Sequence, residues 1–229
     1  SRRVALSKNS VIERVKKLEK EKIILDYNAL VNINQLGYST YDIYLKFQDT
    51  TPKKEEEIIA LAMKNRKVWF VGKIEGSVNL VLLISAKTPE EFYEIWDAIY
   101  KKIRRNVKVV RIAILLEYHH FTKDYLLGKE SSQRTVEKTG KKNYVEVDKT
   151  DLLLLKCLSY DARISLLDLA GKIKMTPKTT KKRIKRLEKE GIILGYKINL
   201  NFQKLGYEYY KVLLTLTHLE IREDIYEWI

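Results

Sequence analysis

The sequence predicts an α+β protein in which winged helix-turn-helix domains alternate with ferredoxin-like βαββαβ domains. Three observations carry this. First, "RIKRLEKEGIILGYKIN" (residues 183–199) has a near twin in "RVKKLEKEKIILDYNAL" (residues 14–30), at a spacing of 169 residues (183 minus 14). The match runs on without a gap: Asn32, Leu36, Gly37, Tyr38, Tyr41 and Leu45 recur as Asn201, Leu205, Gly206, Tyr207, Tyr210 and Leu214. A match of that length in one register reads as an internal duplication. Second, residues 148–202 spell helix, turn, helix, turn, basic helix and β-prone wing. Third, residues 38–121 spell β-α-β-β-α-β, the split βαβ arrangement.

The N-terminal copy, residues 1–36, supplies the end of a second helix, a third helix and a wing. Nothing in it reads as a first helix, and the apolar stripe of Val11, Val15 and Leu18 needs something to cover it. The chain therefore reads as beginning inside a domain. Residues 37–121 form the αβ unit. Strand-like "YSTYDIYLKFQ" precedes the helix "PKKEEEIIALAMKN", then come strands "KVWFVGKIEGS" and "NLVLLISAK", the amphipathic helix "TPEEFYEIWDAIYKKIRRN" and a last strand "VKVVRIAILLEYHHF". Alternation in "IYLKF" and "VRIAILLEY" predicts two apolar sheet faces, of which the helices cover one. Residues 122–147 are polar, charged and aperiodic, and read as a linker.

The second winged helix spans residues 148–205. Asp148 or Thr150 can cap "DKTDLLLLKCLSY". In "SLLDLAGKI", Ser165 and Asp168 have the spacing of a capping box. "TPKTTKKRIKRLEKEG" opens with Thr176 as N-cap and Pro177 at the first helical position, where the missing N–H costs nothing, and closes on Gly191. Thr180, Ile184 and Leu187 form its inward stripe. Residues 206–229 begin a further β-α pattern in "YEYYKVLLTLTHLEIREDIYEWI". A complete second αβ unit needs about 60 residues more, by analogy with the first copy.

A formal net charge of +14, Lys+Arg 44 against Asp+Glu 30, points to a polyanionic partner. Lys and Glu enrichment also fits a heat-adapted surface, but that does not account for the imbalance. The single cysteine, Cys157, excludes an intrachain disulfide and a cysteine-based zinc cluster, and fits a reducing, cytoplasmic setting. No apolar run approaches the roughly 18 residues that span a bilayer, so no membrane partner is expected. No cofactor or metal is expected either.

With these parts in place, the chain resembles the Lrp/AsnC (feast/famine) family of transcription regulators. The second copy, "DKTDLLLLKCLSYDARISLLDLAGKIKMTPKTTKKRIKRLEKEGIILGYKINLNFQKLG", is similar to that family's DNA-binding domain and hinge. "VGKIEGSVNLVLLISAKTPEEFYEIW" resembles its αβ effector and assembly domain. The family's usual chain has one set, whereas this chain reads as a tandem set. The resemblance implies a non-enzymatic regulator that binds double-stranded DNA through two recognition helices.

An α-helix fits the major groove, and Lys or Arg contacts to phosphates supply salt-sensitive affinity. In the second copy the candidates are Thr176, Lys178, Thr179, Lys182, Arg183 and Arg186, with Thr176 and the amides behind it able to hold a phosphate. Their counterparts are Ser7, Asn9, Ser10, Glu13, Arg14 and Lys17. Residues 7–22 carry six basic and three acidic side chains, and residues 176–191 carry seven and two. Glu13 stands where Lys182 stands. It either reads a cytosine amino group or pairs with Lys16 or Lys17 on its own helix.

In the family the loop matching Gly76 to Asn79 helps form a cleft between subunits that can hold an amino acid, often with an acidic residue where Asn79 stands. Gly76 and Asn79 are thus effector candidates, or a plain hairpin turn. Homo-oligomerisation or intrachain pairing through the αβ domains is the remaining expectation. Two other classes stay open. Some haem-pathway decarboxylases resemble this architecture, which makes His119, His120 and Arg111 local candidates, although adjacent strand residues point to opposite faces. A protein docking onto transcription machinery through tyrosine-rich strands is the other.

Overall fold

The computed structural model describes residues 4–121, 123–127, 137–140, 144–218 and 220–228. In chain order its helices and strands are α1 Lys8–Lys20, β1 Ile24–Val31, β2 Ser39–Phe47, α2 Pro52–Met63, β3 Val68–Lys73, β4 Leu80–Ala86, α3 Pro89–Ile103, β5 Val107–Leu115, β6 Tyr118–His120, β7 Glu137–Thr139, α4 Lys149–Tyr160, α5 Leu166–Lys172, α6 Pro177–Lys189, β8 Ile193–Leu200 and α7 Ile221–Trp228. They divide into two compact units, residues 27–197 and residues 1–26 with 198–229.

In the larger unit β2 to β5 form a four-stranded sheet in the order β3-β4-β2-β5, every pair antiparallel. This is the ferredoxin-like order expected. Each αβ helix opens on a Thr-Pro pair. Thr51 and Thr88 accept the N–H of Lys54 and Glu91, and Pro52 and Pro89 take the first helical position. Inward-facing Tyr41, Ile43 and Leu45 of β2 and Leu80, Leu82 and Ile84 of β4 meet Ile58 and Ala62 of α2 and Phe92, Trp96, Ile99 and Ile103 of α3. Tyr41 stacks on Phe92 with ring centroids 4.0 Å apart.

Two expectations for this sheet are corrected. Ile43 pairs with Ile112 and Tyr41 with Ile114, so the isoleucines of β5 lie on the helix-bearing side. They are nonetheless 39% and 55% exposed on this edge strand. The opposite face carries Thr40, Asp42 and Tyr44 against Leu115, Ala113 and Arg111, and is mixed rather than apolar. The expected last strand also breaks at Leu116–Glu117. Its end becomes β6, which pairs with β7, a strand inside the expected linker. Residues 128–136 and 141–143 of that linker lie outside the described residues.

The same unit holds the second winged helix. Leu154, Leu155 and Leu158 of α4, Leu169 of α5, Ile173, Leu187 of α6, and Ile192 and Ile193 form its core. Ala29 belongs to that core, with Val31, Leu36, Val145, Val147 and Cys157 packed against it. The strand of the first wing thus completes the core of the second copy. The Asn28 amide donates to the Ser159 carbonyl at 2.9 Å, and the Ala162 N–H donates to the Tyr27 carbonyl at 2.8 Å. β1 and β8 form a two-stranded sheet.

In the smaller unit no α1 residue is fully buried, and Val11, Val15 and Leu18 are half-buried. The Asn201 N–H donates to the Ile23 carbonyl at 2.8 Å, and the Asn199 amide donates to Asp26 at 2.6 Å. Residues 207–216, expected as a strand, carry no strand. A strand needs a neighbour to satisfy its amides, and none is present for it among the described residues. Tyr209, Tyr210, Val212 and Leu214 are exposed there, whereas their counterparts Thr40, Tyr41, Ile43 and Leu45 are buried.

Backbone geometry repeats at the sequence spacing. Left-handed residues occur at Ala5 and Lys174 (φ 50 and 55), Lys22 and Gly191 (57 and 69), and Gly37 and Gly206 (84 and 80). Lys22 adopts the conformation that Gly191 adopts without strain, at a cost of about 1–2 kcal/mol.

Candidate nucleic-acid interface

The candidate residues lie on α6 and, separately, on α1. The two helices start alike. Thr176 Oγ1 accepts the Thr179 N–H at 3.2 Å and sits 2.9 Å from the Thr179 hydroxyl. Ser7 Oγ accepts the Ser10 N–H at 3.1 Å and sits 2.9 Å from the Ser10 hydroxyl. These caps occupy the third amide of each helix. In α6 the first position is Pro177, which has no N–H, so Lys178 supplies the one amide of the first three left for an incoming phosphate. The expected phosphate cradle behind Thr176 is therefore narrower than the sequence suggested.

Thr180 and Leu187 of α6 are wholly buried, with Ile184 packed beside them. At 3.6 residues per turn the opposite side of the helix is Lys178, Lys182, Lys185 and Lys189, all exposed. This is an unbroken lysine stripe. Lys185 and Lys189 were missed in the sequence, although the phase of Thr180, Ile184 and Leu187 already placed them there. The corresponding stripe of α1 is Asn9, Glu13, Lys16 and Lys20, also exposed. Lys17 forms an ion pair with Glu21 at 3.8 Å. Among the described residues Glu13 makes no ion pair, so the expected alternative of pairing with Lys16 or Lys17 is not adopted.

Arg183 and Arg186 are placed differently. They flank the buried side and reach the N-terminus of α4. Arg183 Nη1 donates to Asp148 at 2.7 Å and to Asp151 at 2.8 Å, and Arg186 Nη2 donates to the other Asp151 oxygen. Asp151 is 1% exposed. It also accepts the Asp148 N–H at 3.2 Å, while Asp148 accepts the Asp151 N–H at 2.7 Å, which closes a capping box. The Ser165–Asp168 pair is not one. Ser165 caps the Asp168 amide, but the Asp168 carboxylate accepts from the Ser165 hydroxyl at 2.6 Å instead of reaching back to the backbone. The Asp151 amide first, and then Arg183, holds the Asp148 carboxyl below the ordinary aspartate range. The Asp151 and Asp148 carboxylates in turn raise Arg183 further. Arg14, which corresponds to Arg183, is exposed.

The remaining candidates do not join this surface. Asn79 Oδ1 accepts the Phe47 N–H at 3.0 Å and the Asn79 N–H donates to the Leu45 carbonyl, which gives this residue a bracing role between strand ends. Gly76 has φ 135 and open space around it. His119 contacts Glu117 at 3.1 Å, and His120 packs on Tyr118 with ring centroids 4.3 Å apart. Arg111 lies across from Tyr44 in the sheet. The two histidines and Arg111 form no common site.

A family described as winged helix-turn-helix DNA-binding matches residues 147–193. The chain is similar to the HTH-type transcriptional regulator LrpA of Pyrococcus horikoshii, 39% identical over 78 residues, which are 34% of this chain and 52% of that one. It is also similar to the leucine-responsive regulatory protein of Haemophilus influenzae, 32% identical over 94 residues, 41% of this chain and 56% of the relative. The chain thus spans about half the length of these relatives. Among solved structures, siroheme decarboxylase NirDL in complex with an iron-uroporphyrin III analogue aligns at TM-score 0.56 and 14% identity, covering 86% of this chain and 57% of that one. At that identity the likeness is one of fold. Among the described residues no helix is long and apolar enough to cross a membrane.

The lowered Asp148 carboxyl, which is largely exposed, predicts a modest acid sensitivity of the winged helix. A carboxyl whose folded pKa is lowered stabilises the fold above its unfolded pKa, and this is lost as pH falls through the folded value. Denaturant midpoints of the winged helix should hold from neutral pH down to about pH 5 and fall below about pH 4. Asp151→Ala should cost about 1–3 kcal/mol at neutral pH, by leaving Arg183 and Arg186 without their shared acceptor. A midpoint unchanged in this variant contradicts the assignment.

Proposed function

We propose that this chain, whose winged-helix unit is of the Lrp/AsnC type, is a sequence-specific DNA-binding transcription regulator with two non-equivalent readers. The observation that carries this is the lysine stripe of α6, aligned opposite the residues that anchor the helix in its core. Four cations on one exposed helical face, with a Thr-capped end, suit insertion into the major groove between phosphate backbones. Lys178, Thr179, Lys182 and Lys185 are the proposed contacts. Arg183 and Arg186 act by orienting the helix, so their contribution to affinity is indirect.

Ser7, Asn9, Ser10, Glu13, Arg14 and Lys17 make up the second, weaker reader. Its stripe has one acid and two lysines where α6 has four lysines. The left-handed residues shared at a 169-residue spacing support a tandem origin, with domains at residues 1–36, 37–121, 148–205 and 206–229 and a connection at 122–147. Two readers held in one chain raise affinity through effective concentration, an effect that other regulators obtain by dimerising. Pairing of αβ domains, within or between chains, is part of the same proposal. Its surface is the exposed edge strand β5 and the residue after it, where Val110, Ile112, Ile114 and Leu116 are all exposed.

Duplex binding should weaken steeply with salt. Lys178→Ala with Lys182→Ala should lower affinity and reduce the log-log salt slope by about one per lost phosphate contact. Glu13→Lys should strengthen binding at one half-site and shift the footprint toward symmetry. Unchanged affinity and slope in the lysine pair, with a footprint of equal halves indifferent to Glu13→Lys, would sink the reading. For αβ pairing, light scattering should give a mass above that of one chain, falling to one chain in Ile112→Lys with Ile114→Lys. If pairing is intrachain, the same variant leaves the mass alone but unmasks β5 amides to hydrogen exchange. Neither change would remove β5 as the surface.

A further inference from the structure

The unit of residues 27–197 contains a cavity of about 480 Å³, walled by the wing strands on one side and by the ends of the αβ strands on the other. Its volume is that of a small-molecule site. Three aromatic side chains line it: Tyr38, Trp69 and Tyr118. So do Arg66, Lys67, Lys197 and His120. The wall has one acid, Glu117, which is engaged with His119 at 3.1 Å. Lys67 is bonded to Glu91 at 2.7 Å and lies over the Tyr38 ring at 5.6 Å. Among the described residues Arg66 and Lys197 form no ion pair.

Lys197 is half-buried. Burial, and then the charges of Lys197 and Lys123, push His120 down to about 4. Lys123 is lowered in the same way, by burial and by Lys197. At neutral pH His120 is therefore uncharged, and the cations on the cavity wall are Arg66, Lys67 and Lys197. An anion placed beside Arg66 and Lys197 would form the ion pair that neither makes among the described residues. Aromatic faces beside the cations add a preference for a flat, unsaturated ring.

We propose that this cavity binds a planar aromatic small molecule bearing a carboxylate or phosphate, its anionic group held by Lys197 and its ring by Trp69, Tyr38 and Tyr118. The place is distinct from the Gly76–Asn79 loop, none of whose residues lines it. Leu30 and Val31 of β1 and Lys197 of β8 form one wall, while Trp69 of β3 and Ser85 of β4 form the other. An occupant therefore bears on wing and sheet together. A regulatory consequence for DNA affinity rests on the function proposed above, but binding itself does not.

Isothermal titration calorimetry on the full chain tests it, with three probes: 2-naphthoate, adenosine 5′-monophosphate, and neutral 2-naphthamide. At least one anion should bind with one site per chain, and the amide at least about tenfold more weakly. Naphthoate alone assigns a carboxylate, and the nucleotide alone a phosphate. Lys197→Ala and Trp69→Ala, each checked for native circular dichroism, should both weaken the binding anion by about tenfold, and Lys197→Arg should restore it. Lys178→Ala with Lys182→Ala should leave it unchanged, which separates this site from the DNA surface. Equal binding of the amide, no heat from any probe at about 1 mM, or unaltered affinity in Lys197→Ala or Trp69→Ala overturns the proposal.

Discussion

The buried carboxylate of Asp151 is the constraint on which the winged helix depends. One side chain, 1% exposed, returns the capping bond at the start of α4 and takes hydrogen bonds from both Arg183 and Arg186 of α6. A buried ion is costly unless every lone pair is used, and here two guanidinium groups and a backbone amide use them. The cluster ties the rotation of α6 to the frame of α4. Once Arg183 and Arg186 are committed inward, the face opposite the core is left to Lys178, Lys182, Lys185 and Lys189.

That division could not be seen in the sequence. Residues 176–191 hold seven basic side chains, and nothing in their order marks two as structural. The marker is Asp151, distant in sequence, and its effect appears only when α4 and α6 pack. Local signals fared better. Thr176, Pro177 and Gly191 bounded α6, and Thr180, Ile184 and Leu187 gave its buried side, because capping and helical phase are short-range properties. The αβ order was legible for the same reason, from Thr-Pro helix starts and period-two strands. The faces of β5 were not, because a register shift between Tyr44 and Leu45 alters which of its residues share a side with the core. Left-handed Ala5 and Lys174 carry no sequence signal, since their residue types do not favour that geometry, and Lys22 is marked only by its alignment with Gly191.

The two copies are alike in backbone and unlike in surroundings. α6 rests on α4 and α5 and on a core to which β1 contributes Ala29. α1 has the same cap and the same following left-handed residue, yet none of its residues is fully buried. Its Arg14 is exposed and its outward stripe contains Glu13. The two segments thus share local geometry, while sequence differences and tertiary context give them different charge surfaces, which is the basis proposed above for unequal readers.

The most direct measurement of the central claim is lysine reactivity on the full chain with and without duplex DNA, read by acetylation and mass spectrometry. The account predicts that Lys178, Lys182 and Lys185 become protected together in the complex, while Lys101 and Lys102 on α3 keep their reactivity. Unchanged reactivity of the α6 lysines in a saturated complex would contradict it and place the DNA on another surface.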